Sequence, residues 1–158
     1  MMRRYLLTLP VILGLSACAG SDAVSTALPP GYLSAAREIV AAADWSNPET
    51  VTVTLANYRF SPGEFDLHRD RPTRLVLVNP TATDHAMVAE QFFREVAVRQ
   101  LVGPTGTTPA PWISKVVIPA GQTREIWLVP ARYGAFRFKC DVTGHSAFGM
   151  NGLINVIP

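Results

Sequence analysis

From residue 51 to the C terminus, short runs of alternating apolar and polar residues follow one another, separated by turns that carry Pro or Gly. The run VTVTL at 51–55 places its two valines and its leucine on one face, which is the period of a half-buried strand. Further runs of this kind are EFDLH, TRLVLVN, ISKVVI, TREIWLV, AFRFKC and GLINVI, at 64–68, 73–79, 113–118, 123–129, 135–140 and 152–157. Many short strands at this spacing predict a β-sandwich.

Two segments depart from simple alternation. The apolar residues of 51–55 occupy odd positions, whereas the aromatic residues Tyr58 and Phe60 occupy even ones. This change predicts a bulge or bend near Ala56. In residues 89–101, AEQFFREVAVRQL, the apolar residues share one helical face and two Glu–Arg pairs at i,i+4 spacing share the other. This pattern predicts a single amphipathic helix on the surface of the sandwich. Residues 103–112 are predicted to form a loop.

The composition agrees with one folded domain and excludes several classes of protein. Of the 158 residues, 48% are hydrophobic and 16% are charged, so the chain can build a core and is not of the disordered class. No apolar run reaches the ~18–20 residues of a membrane-spanning helix. The net charge of +2 shows no basic excess, so nucleic acid is not expected as a partner.

The N terminus has the layout of a secretory signal over residues 1–17, with Arg3 and Arg4 ahead of a short apolar stretch and small residues. The sequence LSAC at 15–18 resembles a bacterial lipobox, which implies cleavage before Cys18 and attachment of lipid to its sulfur. The alternative is an ordinary signal cleaved elsewhere, with Cys18 incidental. Removal of the signal lowers Lys+Arg from 14 to 12 against 12 Asp+Glu, so the mature chain is formally neutral.

The remaining chain divides into three parts. Residues 18–31 are small and polar, with Pro and Gly, and would tether the lipid to the folded part. Residues 32–50 form a lead-in with a short helix predicted over 33–43, and residues 51–158 form the β domain. The chain has two cysteines, so a lipid-modified Cys18 would leave Cys140 without a disulfide partner. A lone cysteine in an oxidising compartment calls for another role.

That role is indicated by the spacing around Cys140. Period 2 places this cysteine on the same inward face as Phe136 and Phe138, at the end of a strand. His145 follows five residues later, and Met150 five residues after that. A thiolate, an imidazole and a thioether form a soft, mixed ligand set. Two histidines and one cysteine with a weak axial methionine make the type 1 copper arrangement.

The second imidazole must come from His68 or His85. His68 ends a strand on its outward parity, which favours an exposed histidine. His85 follows a buried strand and a turn, which places it at an end of the sandwich and favours it as the ligand. Its neighbours Asp84 and Met87 are interpreted as a turn residue and a core residue. A structural zinc site is the weaker alternative, because zinc prefers closed Cys/His sets and a thioether is a poor zinc ligand.

Residues 51–158 resemble a cupredoxin, the family of type 1 blue copper proteins. The resemblance rests on VLVNPTATDHAM at 76–87 and CDVTGHSAFGM at 140–150, and the second loop resembles that of rusticyanin-type members more than the shorter plastocyanin loop. It implies an all-β Greek-key sandwich with one surface helix and a single copper ion. It also implies the ligand roles: His85, Cys140 and His145 would be equatorial and Met150 axial.

The resemblance further implies one-electron transfer. The expected protein is a monomeric carrier, held by its lipid on the periplasmic face of a bacterial membrane. A redox partner such as a c-type cytochrome or a terminal oxidase would dock beside the second histidine. The predicted docking patch is Ala147, Phe148 and Gly149, with Pro111 or Trp112 joining from a neighbouring loop.

Two other functions are weighed against this one. An enzyme is disfavoured, because the sequence has no catalytic triad, phosphate loop or paired carboxylates, and copper oxidases and nitrite reductases need more than one copper site. Copper handling, meaning binding for tolerance, buffering or delivery to an oxidase, is the main alternative. Proteins of that kind often carry Met/His-rich tracts, whereas the mature chain has only Met87 and Met150.

Overall fold

The computed structural model describes residues 28–158, and within them the chain forms eleven strands and two short helices. The helices are α1 (Ala36–Ala42) and α2 (Glu90–Arg94). The strands are β1 (Glu49–Ala56), β2 (Arg59–Ser61), β3 (Glu64–His68), β4 (Thr73–Val78), β5 (His85–Val88), β6 (Val96–Gly103), β7 (Gly106–Pro109), β8 (Lys115–Ile118), β9 (Thr123–Pro130), β10 (Gly134–Lys139) and β11 (Asn151–Ile157).

The described strands form two sheets that face each other. One has six strands in the order β2-β1-β4-β9-β6-β7, and the other has five in the order β3-β11-β10-β5-β8. Most neighbouring strands are antiparallel, and the pairs β1–β4 and β3–β11 are parallel. The predicted all-β sandwich is confirmed, and every strand segment expected from alternation is found within a residue or two of its expected bounds.

The core lies between the sheets and holds the strand ends in place. Leu55, Leu75 and Leu77 of the six-stranded sheet are completely buried, and the Phe138 ring of the other sheet packs edge-on to Phe60 at a centroid distance of 4.8 Å. Burial of one large apolar side chain stabilises a fold by ~1.5–3 kcal/mol. Because both sheets are joined by many such contacts, the loops at the sandwich end are built on a rigid base.

The single amphipathic helix predicted over residues 89–101 is wrong. Helix α2 ends at Arg94, and the chain continues as β6, which pairs with β9 on one side and β7 on the other. Val96 and Val98 are β-branched and face the core, while Ala97 between them is buried against α1. A strand covered on both faces loses its alternation, so its apolar residues also fit a helical period.

Two smaller expectations also need correction. Residues 103–112 are not only a loop, because β7 pairs back on β6 in a hairpin with Gly103 opposite Gly106. The change of parity after Ala56 is a chain reversal and not a bulge: β1 and β2 form a hairpin with Leu55 opposite Phe60. Tyr58 at the tip has φ of +65°, a left-handed conformation that is uncommon for a bulky residue.

The helix predicted over residues 33–43 is confirmed as α1, which covers the outer face of the six-stranded sheet. Ala36 packs there against Ala97 of β6 and Val129 of β9. The described residues therefore contain both helices that the sequence predicts, although α2 is much shorter than expected. The first of them shields part of a sheet face that would otherwise meet solvent.

Candidate metal centre

Adjacent strands of the five-stranded sheet bring His85 and Cys140 together. His85 is the first residue of β5, and Cys140 directly follows β10. These two antiparallel strands pair at Val88 and Lys139, so residues 55 positions apart in sequence lie side by side at one end of the sandwich. Both side chains are completely buried.

The loop between β10 and β11 supplies His145 and folds back on its own ends. The backbone N–H of Cys140 donates to the carbonyl oxygen of Met150 at 3.1 Å, and that of Met150 donates to the carbonyl oxygen of His145 at 2.9 Å. Gly144 and Gly149 have φ of +83° and +103°, so the two reversals of the loop use a backbone conformation that favours glycine. The loop thereby returns the buried Met150 to Cys140.

Three donor atoms converge at this point. The Cys140 Sγ lies 3.9 Å from Nδ1 of His85 and 3.8 Å from Nδ1 of His145, and the three donor atoms lie within 4.8 Å of one another. Metal–nitrogen bonds of ~2.0 Å and a metal–sulfur bond of ~2.3 Å would separate donors at trigonal angles by about 3.7 Å. The observed sulfur–nitrogen separations are close to that value, so the side chains present fit a metal ion.

The site is completely buried at His85 and approaches the surface at His145. Burial, with a smaller effect of His145, lowers the pKa of His85 below its ordinary value, which favours the neutral imidazole that a metal requires. His145 keeps 8% of its surface exposed. The centre therefore reaches solvent through this second histidine.

Solved structures with this architecture include auracyanins and multicopper oxidases. Auracyanin from the photosynthetic bacterium Roseiflexus castenholzii matches with a TM-score of 0.52 and 20% identity, over 72% of this chain and 100% of that one. Auracyanin B matches with a TM-score of 0.50 and 20% identity, over 73% and 94% of the two chains. A multicopper oxidase from Pseudomonas thermotolerans matches with a TM-score of 0.58 and 17% identity, but this chain spans only 31% of it. No protein-family model and no curated protein matches the sequence.

The fold is that of the cupredoxins. At these identities the comparison establishes the architecture, and the chain's own residues supply the rest. In this cupredoxin fold the described donor set, completed by the buried Met150, fits one type 1 copper ion. Neither helix in residues 28–158 has the length and apolar character needed to cross a bilayer.

The predicted docking patch is exposed but has a different neighbour from the one expected. Phe148 is 73% exposed, and Ala147 and Gly149 beside it are also exposed. Tyr58, 48% exposed, places its ring edge-on to both Phe148 and His145, at centroid distances of 5.4 and 5.1 Å.

Pro111 and Trp112 do not join that patch. The Trp112 ring packs edge-on to Tyr32 at 5.2 Å, and Pro111 lines a crevice against α1 together with Leu33. The reason is the direction of β8, which carries the chain from residue 115 toward the metal end and leaves the preceding loop beside the N-terminal segment.

The residues that the sequence analysis rejects as ligands lie where it predicts them. His68 is outside the donor cluster, and its Nδ1 lies 3.1 Å from Oε1 of Glu49 with 40% of its side chain exposed. Asp84 is exposed and accepts a hydrogen bond from the backbone N–H of Ala120 at 2.8 Å. Met87 is completely buried in the core. Cys18 and the signal lie outside the described residues.

Three residues of the site were missed by the sequence reasoning. Tyr58 comes from the β1–β2 hairpin, and Asn79 and Thr81 come from the turn between β4 and β5. The Thr81 hydroxyl lies 3.1 Å from Nε2 of His85 and is hydrogen-bonded to the Asn79 side chain. Asn79 carried a usable signal, because a polar residue at the end of the buried run TRLVLV needs internal hydrogen bonds if it stays inside. Tyr58 carried none, since its contact with His145 spans distant parts of the chain.

Proposed function

We propose that this chain is a single-copper, one-electron carrier. The observation that carries the proposal is the buried convergence of one thiol sulfur and two imidazole nitrogens, with Met150 returned to them by its loop. His85, Cys140 and His145 would hold copper equatorially and Met150 axially. Copper bound there would supply a centre that gains and loses one electron.

The protein's contribution is to hold these donors still and exclude water. The backbone bonds that close the loop at Cys140 and Met150, and the full burial of His85, leave the donors little freedom to move when the charge of the centre changes. A small rearrangement on oxidation favours rapid electron transfer. The partly exposed His145 offers the short route to a partner.

The fold alone does not separate a carrier from an oxidase, because multicopper oxidases share it. The proposal of a carrier rests on the site. Within residues 28–158, the His85–Cys140–His145 group is the one cluster of His, Cys or acidic side chains arranged to hold a metal. Oxidation of a substrate coupled to oxygen would need further copper sites.

Location and partner are part of the proposal. The signal-like residues 1–17 and the lipobox-like LSAC at 15–18 support export and lipid anchoring on the periplasmic face of a bacterial membrane. A c-type cytochrome or a terminal oxidase would be the redox partner, docking at Ala147, Phe148 and Gly149. Small apolar contact areas suit redox encounters, which must dissociate quickly.

The metal is tested by absorption and voltammetry of the copper-loaded protein. We expect an intense visible absorption from thiolate-to-copper charge transfer, which Cys140→Ala abolishes because it removes the sulfur. Met150→Leu should keep copper and raise the reduction potential, because the axial donor is lost. His68→Ala is the control and should leave the spectrum unchanged. A wild-type protein that stays colourless after copper loading would contradict the proposal.

A further inference from the structure

The turn that delivers His85 is closed by hydrogen bonds of its own side chains. The Thr81 Oγ1 lies 3.1 Å from Nε2 of His85, the ring nitrogen that points away from Cys140. The same hydroxyl lies 2.7 Å from Oδ1 of Asn79, which is 1% exposed. A chain of polar groups thus runs from the buried amide to the ring.

The orientation of the Asn79 amide follows from its partners. Its Nδ2 lies 2.9 Å from the carbonyl oxygens of Thr83 and Ile118 and 3.1 Å from that of Pro119, so this side of the amide must carry the hydrogens. Its Oδ1 accepts the backbone N–H of Thr81 at 3.0 Å. The reversed amide would set oxygen against three carbonyls, so Oδ1 is the acceptor for the Thr81 hydroxyl.

The Thr81 hydroxyl has one proton, and two oxygens compete for it. They are Oδ1 of Asn79 at 2.7 Å and the carbonyl oxygen of Thr83 at 3.0 Å. With its proton directed to either oxygen, Oγ1 offers a lone pair to His85. The ring then donates from Nε2, and its Nδ1 carries the lone pair that faces Cys140.

The turn is also tied to the neighbouring β8–β9 turn, so the hydroxyl cannot easily move away. The backbone N–H of Asn79 donates to the carbonyl oxygen of Gln122, and that of Gly121 donates to the carbonyl oxygen of Thr81, each at 2.9 Å. These bonds come from a separate part of the chain. They fix the position of Thr81 independently of any metal.

We propose that Thr81, oriented by Asn79, is a positioning residue that fixes the tautomer and ring direction of His85, so that Nδ1 is presented to the metal before the metal binds. The part that concerns copper rests on the proposed function. The part that concerns the tautomer is a property of the metal-free protein. Groups that hold the outer nitrogen of a metal-binding histidine commonly raise metal affinity about 10–100-fold.

The test compares Thr81→Val, which removes the hydroxyl at nearly constant shape, with Thr81→Ser, which keeps it. Thr83→Val is the matched control, because it removes an exposed hydroxyl from the same turn. The first measurement is the nitrogen NMR spectrum of the metal-free proteins at about pH 8, above the ordinary pKa of histidine. The second is copper affinity by competition with a chelator.

We expect His85 of the wild type, Thr81→Ser and Thr83→Val to carry its proton on Nε2. Thr81→Val should show a mixture of tautomers and bind copper about 10–100-fold more weakly. Two results would overturn the inference: a Thr81→Val protein with wild-type tautomer and wild-type affinity, or a Thr81→Ser protein as impaired as Thr81→Val. If the wild type bound no copper, the proposed function would fail while the NMR comparison still decided the tautomer.

Discussion

His145 is the residue through which the buried centre meets solvent, and its surroundings decide what can approach. The Tyr58 ring packs edge-on to the His145 ring, and Tyr58 also contacts Phe148. Phe148 is far more exposed than an aromatic side chain with a packing role would be. At the scale of single residues, the site therefore consists of a buried donor set and an exposed aromatic margin.

We predict that Phe148→Asp slows electron transfer to a c-type cytochrome roughly tenfold, equivalent to about 1.4 kcal/mol of docking free energy. The added charge must be desolvated when an apolar partner surface covers the patch. Stopped-flow oxidation of the reduced protein would measure the rate, and the copper spectrum should not change.

Tyr133→Asp is the matched control, because Tyr133 is 50% exposed and lies in the turn before β10, at the opposite end of that strand from Cys140. Its transfer rate should equal that of the wild type. If Phe148→Asp transferred electrons at the wild-type rate and copper passed rapidly to a chaperone or an apo-oxidase, the copper-handling function would be favoured.

At the scale of elements, β10 and β11 carry the ligand loop, and their pairing sets its position. Phe138 of β10 stands opposite Gly152 of β11 and packs against the Phe60 and Phe65 rings at 4.8 and 5.8 Å. A Cβ at position 152 would overlap Cζ of Phe138 and lie 2.5 Å from the carbonyl oxygen of Gly63. The strand pair can therefore close only because position 152 has no side chain.

Gly152→Ala is expected to lower the free energy of unfolding by about 1–3 kcal/mol, because Phe138 must leave its place in the core. Chemical denaturation of the metal-free protein measures this. Gly63→Ala is the control, since the nearest atom to its Cβ would be the Phe60 carbonyl oxygen at an ordinary 3.5 Å. Equal stability of the two variants would show that the Phe138 contact does not limit the pairing.

At the scale of the whole molecule, the sandwich carries its metal centre at one end and its N-terminal helix on an outer sheet face. The mature chain, if cleaved before Cys18, has 12 basic and 12 acidic residues. A neutral carrier is not steered over long distances by its net charge. Confinement to a membrane would then be the means of keeping it near its partners.

The anchor is tested by metabolic labelling with a fatty acid. We expect the wild type to incorporate label and to sediment with membranes, because buried acyl chains contribute about 0.8 kcal/mol per CH₂ and several chains bind stably. Cys18→Ser should remove the label and leave the copper spectrum intact, since the ligands are elsewhere in the chain. Recovery of unlabelled wild-type protein from the soluble periplasm would contradict the anchor.

Most of the described strands and the ligand loop could be predicted from the sequence, because both follow from local patterns. Alternation with period 2 reports directly which residues of a strand face a core, and it located β3, β4, β8, β9, β10 and β11. The separation of Cys140, His145 and Met150 fits one short loop. His85 could be preferred over His68 because one follows a buried strand and the other has outward parity.

The remaining features of the fold and the site depend on contacts between distant parts of the chain. Residues 96–101 have apolar side chains that suit a helix or a strand, and the choice of strand comes from pairing with β9 and cover by α1, which lie outside that segment. Tyr58 reaches His145 because a hairpin tip far away in sequence meets the ligand loop. The Thr81 hydroxyl contacts His85 and is held by the side-chain amide of Asn79. The orientation of that amide is set in part by the carbonyl oxygens of Ile118 and Pro119, which are distant in sequence. Contacts of this kind depend on distance in space, which no local pattern records.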